Sequence, residues 1–93
     1  MFQKRIREEQ IQSLAEDLLV REDFSDRHIS LKSIEIKRGR SIMIRIFLDR
    51  ENGITIDDLS DFHKEFQLIL QAESIWNDDL QMQVSSPGHS AKK

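Results

Sequence analysis

Apolar residues along this chain change their spacing several times, and each change predicts an element. Ile11, Leu14, Ala15, Leu18 and Leu19, with Ile6 ahead of them, recur at steps of three and four among charged residues. That period predicts an amphipathic helix over about residues 3–20. Residues 21–28, REDFSDRH, are polar apart from Phe24 and predict a loop, with Phe24 plugging the edge of the core. Alternation then takes over. Ile29 and Leu31, followed by Ile34 and Ile36, predict a strand with a bulge where the phase slips at Lys32 and Ser33. After a turn containing Gly39, Ile42, Ile44, Ile46 and Leu48 alternate with Met43, Arg45 and Phe47 and complete a β-hairpin.

The turn at Glu51, Asn52 and Gly53 leads to Thr55-Ile56-Asp57-Asp58, the pattern of a capping box with Thr55 as N-cap and Asp58 three residues on. Ile54 and Leu59 stand at the positions of a hydrophobic staple, and Leu59, Phe62, Phe66, Ile69 and Leu70 form the buried stripe of the helix. Leu80, Met82 and Val84 alternate with Gln81 and Gln83 as a third strand, ended by Ser85-Ser86-Pro87-Gly88. The expected fold is α+β: a two-layer α-β-β-α-β domain whose small mixed sheet is covered on one face by two helices. The other sheet face, carrying Met43, Arg45 and Phe47, is a candidate contact surface.

Composition narrows the function classes. The 93 residues fit one domain, and 38% hydrophobic against 33% charged residues supports a modest core. With no cysteine there is neither a disulfide framework nor a thiolate zinc site, and a cytoplasmic setting is expected. No apolar run approaches the roughly 20 residues of a membrane span. The net charge of -3 is unevenly distributed. Over residues 32–50, Lys32, Lys37, Arg38, Arg40, Arg45 and Arg50 outnumber Glu35 and Asp49 by four. Over 51–80 the sign reverses, and eight carboxylates outnumber Lys64 by seven. A basic hairpin adjoins an acidic helix, and local charge governs contact with nucleic acid.

Four stretches in order resemble the ribosome maturation factor RimP family: SIEIKRGRSIMIRIFLD, the turn ENG, the helix start ITIDDLSDF and the strand end LQMQVSSPG. Asp49, Gly53, Thr55, Asp57, Asp58, Ser85, Ser86, Pro87 and Gly88 occupy the family's motif positions. The likeness is to the N-terminal domain. Residues 1–88 are expected to form that domain and 89–93 a short basic tail, without the C-terminal small β-barrel that RimP proteins carry. The resemblance implies a non-catalytic role in maturation of the small ribosomal subunit, with the immature particle as partner through ribosomal RNA and a decoding-centre ribosomal protein. The family's protein contact is attributed largely to the missing barrel, so RNA contact is the better surviving candidate. No small-molecule substrate is implied.

The candidate RNA-contacting residues are Lys37, Arg38, Arg40, Arg45 and Arg50, since guanidinium forks pair with phosphates or stack on bases. The competing account is a solvated hairpin whose charges guard against strand-to-strand aggregation. Met43 and Phe47 offer an apolar platform, or pack beneath a loop or against a second domain. Asp57, Asp58 and Asp61 invite a metal reading, but carboxylates in a first helical turn stabilise the macrodipole's positive end. His28, His63 and His89 are scattered with no nucleophile placed beside them. Ser85 and Ser86 lack an accompanying base, and no phosphate-binding glycine loop occurs, so neither catalysis, cofactor nor metal is assigned. The alternative function is a protein-protein interaction module docking through the exposed sheet face without touching RNA.

Overall fold

The computed structural model describes residues 7–51, 53–76 and 78–86. Gln3 and Ile6 of the expected first helix, Asn52 of the turn, Pro87 and Gly88 of the final motif and the 89–93 tail lie outside the described residues. Helix α1 (Glu8–Leu19) buries Ile11, Ala15 and Leu18, one face at i, i+4 and i+7. Where the sequence predicts a loop, a single helical turn forms instead, α2 (Glu22–Ser25). The Arg21 carbonyl accepts the amides of Phe24 and Ser25 at 2.9 and 2.8 Å, and one turn is too short to leave a periodic signature. It delivers the Phe24 ring into the core, edge-on to Phe62 at 6.1 Å between centroids. His28, with φ of 56°, then redirects the chain into the sheet.

Strands β1 (Ile29–Arg38) and β2 (Ile42–Arg50) form the expected antiparallel hairpin. The register shifts between Leu31 and Ser33, so Lys32 is the extra residue of a bulge. The bulge serves a purpose: it returns Ile34 and Ile36 to the face on which Leu31 already lies, opposite Ile46 and Ile44. Strand β3 (Leu80–Ser85) pairs parallel to the other side of β2, giving the order β1-β2-β3 and a mixed sheet. A parallel neighbour requires a crossover, and α3 (Ile56–Ala72) supplies it.

Both ends of α3 are closed by local chemistry. The Asp58 amide donates to Thr55 Oγ1 at 3.0 Å and the Thr55 amide to Asp58 Oδ2 at 3.1 Å, the predicted capping box. At the other end the Ile75 amide reaches the Leu70 carbonyl at 2.9 Å and the Ser74 amide that of Gln71 at 3.1 Å. This is a Schellman closure, with Ser74 in the left-handed region at φ 62° where glycine is usual. Ile75, which follows it, is buried with Leu70.

One core joins both helices to one face of the sheet. Ile11, Ala15 and Leu18 of α1, and Phe62, Phe66 and Leu70 of α3, meet Ile44, Ile46 and Leu48 of β2 and Leu80 of β3. Full burial of an isoleucine, leucine or phenylalanine side chain is worth roughly 1.5–3 kcal/mol. The stripe differs from the predicted one at its start. Leu59 is half-buried, whereas Asp58 stands on the inward face at 4% exposure. Trp76 lies at the rim, packed partly buried against the core.

Candidate functional site

Register assigns every strand residue to one sheet face. The face away from the helices carries Ser30, Ser33, Glu35 and Lys37 from β1, Met43, Arg45, Phe47 and Asp49 from β2, and Gln81, Gln83 and Ser85 from β3. Among the described residues no element covers it. Its outer-strand side chains are exposed apart from half-buried Ser85, and its central-strand ones half-buried.

Three rows run across this face. In the middle row Arg45 lies between Glu35 and Gln83. Its Nε donates to Gln83 Oε1 at 3.2 Å, and its Nη1 is 3.9 Å from Glu35 Oε1. Two neighbours therefore hold the guanidinium across the sheet. On one side Phe47 is flanked by Ser33 and Ser85; on the other Met43 is flanked by Lys37 and Gln81. Beyond that row the hairpin turns, the Gly39 amide meeting the Ser41 carbonyl at 3.0 Å, with Arg38 and Arg40 exposed on either side of Gly39.

Arg50, the fifth cation of the predicted surface, is placed differently. It shares the face of Leu48 and donates from Nη1 to Asp58 Oδ2 at 2.8 Å. Arg27 reaches the other Asp58 oxygen at 3.3 Å and Asp61 Oδ2 at 3.1 Å, and its guanidinium carbon sits 4.9 Å from the centre of the Phe24 ring. Burial raises the Asp58 pKa, but the Thr55 amide, the Arg50 guanidinium and the Thr55 side chain outweigh it and hold the carboxyl below its usual range. Of the three aspartates that invite a metal reading, Asp58 and Asp61 are thus a cap and an ion-pair cluster tying α3 to β2 and to the segment after α2. Among the described residues no group of three or more histidines and carboxylates is placed to hold a metal.

The remaining motif residues are spread over the end of β2, the turn, α3 and the end of β3. Asp49 accepts the Arg50 amide at 2.8 Å, Gly53 takes φ of 99° in the turn, and Asp57 is exposed in the first turn of α3. Ser85 ends β3 beside Phe47, and Ser86 follows half-buried. His63 Nε2 donates to the Met82 carbonyl at 3.2 Å, which fixes α3 over β3. Beside it runs an open groove lined by Ile56, Leu59, Lys64, Gln67 and Val84.

Arg27 and the pair Glu35 and Gln83 escaped the sequence reading. Alternation of Gln81 and Gln83 with Met82 and Val84 could have placed the glutamines on the open face. Nothing local could have linked Arg27 to an aspartate 31 positions away.

A family model described as the RimP N-terminal domain matches residues 19–90, well over half of the chain. The chain belongs to the RimP N-terminal domain family. RimP is a ribosome maturation factor family, generally non-enzymatic, so ribosome-related partners are implied. The match starts at Leu19, the last residue of α1, and takes in the whole sheet and α3. No helix among the described residues is long and apolar enough to cross a membrane.

Proposed function

We propose that this RimP-type domain is a non-catalytic assembly factor that contacts RNA of the immature small ribosomal subunit through its basic hairpin. The observation that carries this reading is the segregation of charge between the two layers. Helix α1 holds Glu8, Glu9, Glu16 and Asp17 and no basic residue, and α3 holds four carboxylates against Lys64. Lys37 and Arg45 lie on the opposite face, where Glu35 and Asp49 balance them, and Arg38 and Arg40 at the hairpin tip supply the excess positive charge. A chain of net negative charge is then steered toward a polyanion with the hairpin tip first, helices outward. We leave Arg50 out of the surface because Asp58 holds it. The proposal takes residues 1–88 as the domain, 89–93 as a basic tail, and a cytoplasmic setting.

The test is co-sedimentation of the 93-residue chain with purified immature small subunits at low and moderate salt, beside an Arg38→Ala, Arg40→Ala, Arg45→Ala variant. Retention that falls steeply with salt and is lost in the variant supports the reading. Equal retention of both proteins removes the hairpin from the surface. Binding that is insensitive to salt favours protein docking through the half-buried Met43 and Phe47.

A further inference from the structure

We infer that the open sheet face takes single-stranded RNA, with an unpaired base stacked on the Phe47 ring and the neighbouring base met by Arg45, Gln83 and Gln81. The inference rests on the proposed hairpin contact and names the class of RNA. Phe47, half-buried, sits on the central strand with serines directly opposite on both sides, Ser33 and Ser85, so its direct cross-strand neighbours are small and leave room beside the ring. An aromatic platform of this kind recognises a base by its π-face, and in a duplex that face is already covered by the next base pair. Only an unpaired base can lie flat on it.

The next row supplies polar selection. Gln83 and Glu35 hold the Arg45 guanidinium across the sheet at 3.2 and 3.9 Å, so its remaining donors are positioned before RNA arrives. The exposed Gln81 amide, one row further, offers both a donor and an acceptor to a base edge.

Charge sets the direction of the strand. Along β2 the face begins at Asp49, passes Phe47 and Arg45, and ends beside Lys37 and the tip residue Arg40. A phosphate backbone is repelled at the Asp49 end and attracted at the tip, so the RNA runs from Phe47 toward the turn. The acidic helices on the far side leave the sheet as the favoured approach.

The test uses the full 93-residue chain and a fluorescent single-stranded RNA of roughly 10 nucleotides, within the usual span of single-strand sites, titrated by anisotropy with and without its annealed complement. Phe47→Ala is expected to weaken single-strand binding by roughly 5- to 100-fold without changing the salt slope. Phe47→Leu, which keeps an apolar side chain of similar bulk, should show the same loss, and Phe47→Tyr should bind as the parent does. Lys37→Ala and Arg40→Ala should each flatten the slope of log affinity against log salt by about 0.7. Circular dichroism identifies any variant that fails to fold. Wild-type-like binding by both Phe47→Ala and Phe47→Leu, or equal affinity for duplex, overturns the inference while leaving the hairpin contact standing. Unchanged affinity and an unchanged salt slope in both Lys37→Ala and Arg40→Ala overturn the hairpin contact itself.

Discussion

The two faces of the sheet are cut from the same three strands, yet they are built for opposite ends. On β2, Ile44, Ile46 and Leu48 are fully buried beneath the helices, while Met43, Arg45 and Phe47 between them are only half-buried. The helix layer above the first set is acidic; the hairpin carrying the second is basic. Alternation by one residue thus places cohesion on one side and polar and charged groups of both signs on the other. Because successive side chains point apart, a change on one side can leave the other intact.

The largest break in that division comes from the covered side. Phe66→Ala removes a fully buried ring from the centre of the core and should cost about 3–5 kcal/mol, a large part of the ~5–15 kcal/mol that stabilises a typical domain. Urea unfolding measures it, and a loss below about 1 kcal/mol would show that the helix layer contributes little cohesion. Asp58→Ala opens the capping box and takes the carboxylate from Arg50 and Arg27, an expected loss of about 2–3 kcal/mol in the same assay. Its titration gives a separate signature. The folded pKa of Asp58 is depressed, so its contribution is complete above the unfolded value of about 4 and is lost as pH falls through the folded one. Acid unfolding of Asp58→Asn should accordingly be less steep in that window.

Smaller effects sharpen the contrast. Ser74→Gly relieves a left-handed serine at the Schellman closure and should raise stability by about 0.5 kcal/mol, seen as a higher melting temperature; no rise would mean that the serine is unstrained there. On the open side, Lys37→Ala with Arg40→Ala should move the urea midpoint by less than about 0.5 kcal/mol equivalent. A larger shift would mean that the two sides are coupled.

Much of this was legible in the amino-acid order because the strongest signals are local. Thr55 and Asp58 announce the start of α3, and the phase slip at Lys32 marks a bulge whose effect is to keep Ile34 and Ile36 inward. What was hidden depends on contacts between distant positions. Asp58 takes an inward place that periodicity gives to apolar residues, because Arg50 and Arg27 converge on it from elsewhere in the chain. The same meeting withdraws Arg50 from the surface expected from the sequence, which no count of charge along the hairpin could reveal. The turn of α2 is too short to be periodic, and Ser74 lacks the glycine that usually advertises a Schellman closure. Of the open face, the alternating residues of β2 could be read directly, whereas the clasp of Glu35 and Gln83 on Arg45 needed the pairing of all three strands.

The parallel pairing of β3 with β2 also orders events in time. β1 and β2 meet across the short turn at Gly39, a closure of the kind completed in about 1–10 μs. Strand β3 reaches β2 only after the chain has travelled from Arg50 through all of α3 to Leu80, and its entropy of closure is recovered only when Phe62 and Phe66 dock. Pulse-labelled hydrogen exchange should therefore find the hairpin amides protected before those of β3. Until that late step, the long side of β2 is an unsatisfied edge, and the nascent domain is most exposed to pairing with another chain.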